Sequence, residues 1–144
     1  MTALTTANEL QLRRQKLIEA HVDAECNHDI EGTLATFAEA NYDVVPLGAP
    51  TNGATAVHEL LDMLFTAFPD FHVDTMALHH GQDIVFADVR MTGTHLGPWA
   101  GVPATGRNID VRCGCVFHFD GDRLLKETVY FDHATLLAQI GIGA

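Results

Sequence analysis

Between residues 57 and 68 the apolar side chains Val57, Leu60, Leu61, Leu64, Phe65 and Phe68 recur at i, i+3, i+4, i+7, i+8 and i+11, the spacing that lines one face of an α-helix. A stripe that wide must be buried against something large. The second half of the chain supplies the partner, because it holds four extended segments with only turns or a single loop between them. Pro69-Asp70 breaks the helix, and Phe71–Leu78 reads as a strand turning at Gly81-Gln82-Asp83 into a second, Ile84 to about Thr94. A Gly- and Pro-rich loop, Gly97–Gly106, leads to Asn108–Phe119, whose alternation includes Ile109, Val111 and Cys113. A turn at Asp120-Gly121-Asp122 then leads to Leu124–Phe131. Short turns join antiparallel neighbours, whereas parallel strands need long crossovers.

Ahead of the stripe, Thr6 with Glu9 three residues on is a capping-box pattern, and good helix formers continue from Glu9 to about Ala24. Asp29 reads as the N-cap of a short second helix through Phe37, and a short early strand is expected near Tyr42–Pro46. The chain closes with a helix over Ala134–Ile140, stopped at Gly141. Helices first and strands afterwards predict an α+β fold, with N-terminal helices packed on a strongly curved, mainly antiparallel sheet. A sheet curled round a helix encloses one pocket, the natural place for a small-molecule site.

At 144 residues the chain fits one domain spanning 1–144. No apolar run approaches the length of about 20 residues that a membrane-spanning helix requires. Met1–Asn8 lacks the basic start and apolar run of a secretory leader, so a cytoplasmic location is expected. Nineteen carboxylates against eight Lys and Arg give a formal charge of −11, which repels nucleic acid and anionic lipid. Cys26, Cys113 and Cys115 cannot all pair within one chain and read as buried thiols.

Particular stretches carry a family resemblance. Gly93-Thr94-His95-Leu96-Gly97 and Gly101-Val102-Pro103-Ala104-Thr105-Gly106-Arg107 resemble the GTHxG and GxPATGR segments of the SnoaL-like polyketide cyclases. Ala67-Phe68-Pro69-Asp70-Phe71, Asp120-Gly121 and the ending Asp132…Leu136-Leu137-Ala138-Gln139-Ile140-Gly141 are similar to that family's AFPD turn, DG turn and D…LLxQLG close. The resemblance implies the fold shared with nuclear transport factor and ketosteroid isomerase, a homodimer through the sheet, a small apolar organic ligand and no cofactor. It also implies ring closure with an acidic side chain taking a proton beside a carbonyl, while relatives open epoxides or hydroxylate. One departure stands out: three residues before Asp132, where the cyclases carry the acid/base Asp, this chain has Val129. The stretch Gly121–Asp132 is also one residue longer than the family's, so a bulge could bring a neighbouring carboxylate into place. Glu127 is the nearest, and alternate residues of a strand share a face.

Proton abstraction beside a ketone needs a base whose pKa is lifted toward working pH and a donor for the developing oxyanion. Glu127 is either that base or a solvated group at the sheet edge. His95, where the strand gives way to the loop, either serves a ligand oxygen or ties down the loop. Asp88 interrupts an apolar strand and is either an alternative base or part of the wet face. Tyr42 either donates to the ligand or packs with its hydroxyl satisfied. Around these, Val129, Phe65 and Trp99 are expected at the pocket, Trp99 either as a lid or as a pin for its loop. His118 is placed there only if Phe117 and Phe119 face outward. His79-His80 and Cys113-x-Cys115 lack the partners of a metal centre, so none is expected. Two functions stay open: a cofactor-independent cyclase, isomerase or lyase using Glu127 or Asp88 with His95 and Tyr42, or a binding module that keeps the pocket and has lost the cyclase carboxylate.

Overall fold

The stripe of residues 57–68 forms a helix whose buried side chains Val57, Leu61, Phe65 and Ala67 lie on one face. The computed structural model describes residues 2–143 and orders the elements as α1 (Thr2–Cys26), α2 (Ile30–Ala35), β1 (Asn41–Val44), β2 (Thr51–Asn52), α3 (Ala54–Ala67), β3 (His72–His80), β4 (Ile84–Thr94), β5 (Asn108–Asp120), β6 (Arg123–Phe131) and α4 (His133–Gln139). A 3₁₀ turn at Val45–Leu47 follows β1. No helix among the described residues is long and apolar enough to cross a membrane.

The strands form one sheet in the order β2-β1-β6-β5-β4-β3. Every pairing is antiparallel except β1 with β6. Along β5 the side chains Ile109, Val111, Cys113, Cys115, Phe117 and Phe119 alternate inward, and Val85, Ala87 and Val89 of β4 join them. This inner face carries the core, with the helices packed over it.

Two local features set the site. In the β5–β6 hairpin His118 pairs with Lys126 but Phe119 pairs with Leu124, so Leu125 is the extra residue of a bulge. The bulge resets the alternation, and both Leu124 and Glu127 become buried although they are an odd number of residues apart. At the end of β4 the backbone N–H groups of Leu96 and Gly97 both donate to the Ala67 carbonyl. A Cβ at Gly97 would stand 2.3 Å from the Thr66 carbonyl oxygen, so only glycine lets the loop lie this close to α3.

The structure moves several expected boundaries. Thr6 lies inside α1 rather than capping it, and α2 stops at Ala35 instead of Phe37. Phe37 instead forms an isolated bridge to Leu124. The Asp29 cap is present, its carboxylate accepting from the Gly32 N–H at 2.9 Å. β2 has only two residues, too few to leave a pattern in sequence.

Candidate active site

Between α3 and the inner face of the sheet lies a cavity of about 80 Å³. Leu61, Leu64 and Phe68 of α3 wall it on one side, with Val89, Cys115 and Val129 from the sheet on the other and Trp99 from the loop. Leu47, the exposed member of this lining, marks the rim. Glu25, Tyr42 and Glu127 bring carboxylate and hydroxyl groups to an otherwise hydrocarbon wall.

Register explains why these groups meet. Tyr42 of β1 stands opposite Glu127 of β6, and Glu127 stands opposite Phe117 of β5. One step along, Val44, Val129 and Cys115 form the next row. Helix α1 lies across them and contributes His21 and Glu25, an i, i+4 pair on one face. That face also buries Arg14 and Ile18. Arg14 anchors the helix by donating to the carbonyls of Gly121 at 2.8 Å and Gln82 at 2.9 Å, in the turns of two hairpins.

The hydrogen bonds fix where the protons sit. The Thr36 hydroxyl donates to the Thr33 carbonyl at 2.6 Å, so its oxygen accepts from His21 Nδ1–H at 2.8 Å. His21 Nε2 then faces Glu25 Oε1 at 2.9 Å, Glu127 Oε2 at 3.2 Å and the Tyr42 hydroxyl at 3.0 Å. Tyr42 in turn donates to Glu25 Oε1 at 2.6 Å. The His21 ring is held edge-on between Phe37 and Phe117, each centroid 5.4 Å away.

Burial and charge pull these groups in different directions. Burial alone lowers the His21 pKa, but Glu25 and Glu127 outweigh it and raise it from 6.5 to about 10. Burial also raises Glu25, and the charge and hydrogen bond of His21, with the Tyr42 hydrogen bond, bring it below its ordinary value. For Glu127 burial wins over the same imidazolium, and its carboxyl is raised. The Tyr42 phenol is pushed well above 10 by burial and by the two carboxylates, so it keeps its proton. The cluster therefore holds an imidazolium, a firmly ionised Glu25 and a Glu127 whose proton affinity is lifted.

Of the residues singled out from sequence, Glu127, Tyr42, Val129 and Trp99 line the cavity. The structure places the others elsewhere. Asp88 lies on the outer face of β4, its carboxylate paired with Arg112 at 2.7 Å, because Val85, Ala87 and Val89 take the inner positions. His118 also faces away from the cavity, bonded to the Thr128 hydroxyl at 2.9 Å, since Phe117 and Phe119 are the buried neighbours. Phe65 is turned off the cavity by helix phase and stacks on His28 at 4.5 Å. His95 is fully buried behind Phe68, where its Nδ1 meets the Thr105 hydroxyl at 2.9 Å and accepts from the Thr105 N–H at 3.3 Å. It binds the loop, not the cavity. Trp99 donates its N–H to His133 Nε2 at 3.1 Å and so is pinned to the start of α4.

His21 and Glu25 were missed. Their signal was available in the run Arg14, Ile18, His21, Glu25, which repeats at i, i+4, i+7 and i+11 with one apolar member. Among the described residues, His21, Glu25 and Glu127 are also the group whose ligand atoms, within 4.8 Å of one another, could hold a cation. In the protonated cluster the Nε2 proton occupies that place.

A pocket closed between a curved sheet and a helix, with buried carboxylates at one end, defines a small-molecule protein of the nuclear-transport-factor-like fold. The sequence profile of the SnoaL-like polyketide cyclases matches residues 15–140, and the chain belongs to that family. A candidate polyketide cyclase from Xanthomonas campestris pv. campestris superposes with a TM-score of 0.83 at 19% identity, covering 92% of this chain and 99% of that one. A candidate SnoaL-like polyketide cyclase from Jannaschia sp. CCS1 gives 0.80 at 17% identity, covering 92% and 94%. IdmH from Streptomyces antibioticus, also a candidate polyketide cyclase, gives 0.75 at 21% identity, covering 90% and 99%. At these identities the likeness is one of fold. Among curated proteins, none matches the chain.

Proposed function

We propose that the chain is a cofactor-independent cyclase, or a related isomerase or lyase, working by acid/base chemistry on an apolar polyketide-like or epoxide-bearing secondary metabolite. The observation that carries this reading is the Glu127 carboxylate, 4% exposed, reaching the cavity with a raised pKa and with His21 at 3.2 Å. A desolvated carboxylate is a stronger base than one in water, which proton removal beside a carbonyl requires. Glu127 takes the proton. Tyr42, which lines the cavity, turns its proton from Glu25 to the oxygen on which charge develops, and His21, outside the lining, stays paired with the two carboxylates. Such proton transfer is worth about 10²- to 10⁴-fold.

The test is exchange of the α-hydrogens of cyclohexanone for deuterium in D₂O, followed by NMR. Glu127→Gln is expected to lower the protein-dependent rate about 10²-fold or more while the ketone still binds. Exchange that is equal in the two proteins, or no faster than buffer, would remove Glu127 from the chemistry. A second reading, a non-catalytic carrier, is favoured by Val129 in the family's acid/base position and by cluster groups hydrogen-bonded to one another. It expects binding without exchange. For either reading we propose a homodimer through the sheet, whose outer face exposes Phe86 and Tyr130. Light scattering that returns the mass of one chain would remove the dimer.

A further inference from the structure

The distribution of polar atoms around the cavity narrows the kind of molecule it takes. At one end stand Glu25, Tyr42 and Glu127. Beyond that end, β5 contributes Cys115, in the row next to Glu127, and Ile109, six residues away. Leu136 and Trp99 close the far end. Away from the Glu127 end the described residues of the wall offer no free nitrogen or oxygen side chain, because the Trp99 N–H is already given to His133. A polar substituent placed there would lose its water and find no partner. The cavity of about 80 Å³ is smaller than the ~150 Å³ apolar cavity that holds benzene, so a body of more than one ring must extend past Leu47 or displace a wall.

We infer that the ligand is monofunctional: one carbonyl, epoxide or hydroxyl held at the Glu127 end of a hydrocarbon body, and not an oxygen-rich polycycle. The inference rests on the proposed use of this pocket, but it concerns recognition and is read without turnover. The experiment is an NMR titration of the whole protein with cyclohexanone, 4-methylcyclohexanone and 4-hydroxycyclohexanone. The methyl group is expected to tighten binding about fourfold. The hydroxyl is expected to weaken it about tenfold relative to the methyl compound. Val129→Thr, which adds one hydroxyl to the wall at nearly constant volume, is expected to narrow that gap several-fold. Equal or tighter binding of the hydroxylated ketone, or no saturable binding by any of the three, overturns the inference. The predicted order of affinities in a protein that exchanges no deuterium would instead leave this inference standing and remove the catalytic reading.

Discussion

Replacing His21 by Phe keeps a flat ring between Phe37 and Phe117 but removes the cation that two buried carboxylates share. Breaking a buried ion pair from one side costs about 3–5 kcal/mol, because the remaining charge is left without compensation. The variant can escape by protonating a carboxylate, and the cost of that escape depends on pH. Holding a carboxyl of ordinary pKa 4.5 neutral costs about 4.8 kcal/mol at pH 8 but less than about 1 kcal/mol at pH 5. The loss of stability is therefore expected to be about 3–5 kcal/mol at pH 8 and about 1–2 kcal/mol at pH 5. Urea unfolding followed by the fluorescence of Trp99, the single tryptophan, measures both. The contribution of His21, whose pKa is raised, is complete below 6.5 and is lost as pH rises through about 10. The contribution of Glu25, whose pKa is lowered, is present above 4.5 and is lost as pH falls through its depressed value. A His21→Phe penalty that is equal at pH 5 and pH 8, or below about 1 kcal/mol at both, would refute the shared-cation reasoning.

Asp88→Asn breaks an exposed pair with Arg112 on the outer face and is expected to leave both the urea midpoint and the deuterium exchange of the ketone essentially unchanged. A large loss of exchange would return Asp88 to the chemistry. Thr105→Val removes the hydroxyl that meets His95 Nδ1 and is expected to lower stability by about 1 kcal/mol and to speed amide exchange in residues 97–106. His133→Ala leaves the Trp99 N–H without its acceptor, and the fluorescence anisotropy of Trp99 is expected to fall.

Periodicity made the large elements legible. The α3 stripe, the β4 boundaries at Ile84 and Thr94 and the alternation along β5 all follow from side chains that bury one face. The bulge in β6 was legible too, as one surplus residue in the spacing from Gly121 to Asp132, and it explains how Glu127 comes to line the cavity beside Val129. Asp88, His118 and Phe65 show where that logic stops. Periodicity assigns residues to faces, but which face of β4 or β5 meets the helices, and which part of the α3 face meets empty space, depends on partners distant in sequence. His21 and Glu25 were hidden for a related reason. Polar residues on a buried helix face look like a solvated face until the opposing carboxylate is known.

His21 and Glu127 are 106 residues apart, and among the described residues Glu127 is the carboxylate that closes the cluster from the sheet side. During synthesis the helix bearing His21 emerges long before the strand bearing its partner, so an imidazole and a carboxylate destined for the interior stay hydrated until β6 is out. Closing the His21–Glu127 pair is in this way a long-range step, even though α1 also rests on β3 through Cys26 and Val73. A chain stalled before residue 127 can have its N-terminal helix and most of its strands, yet the chemical heart of the molecule does not exist until the final hairpin zips shut.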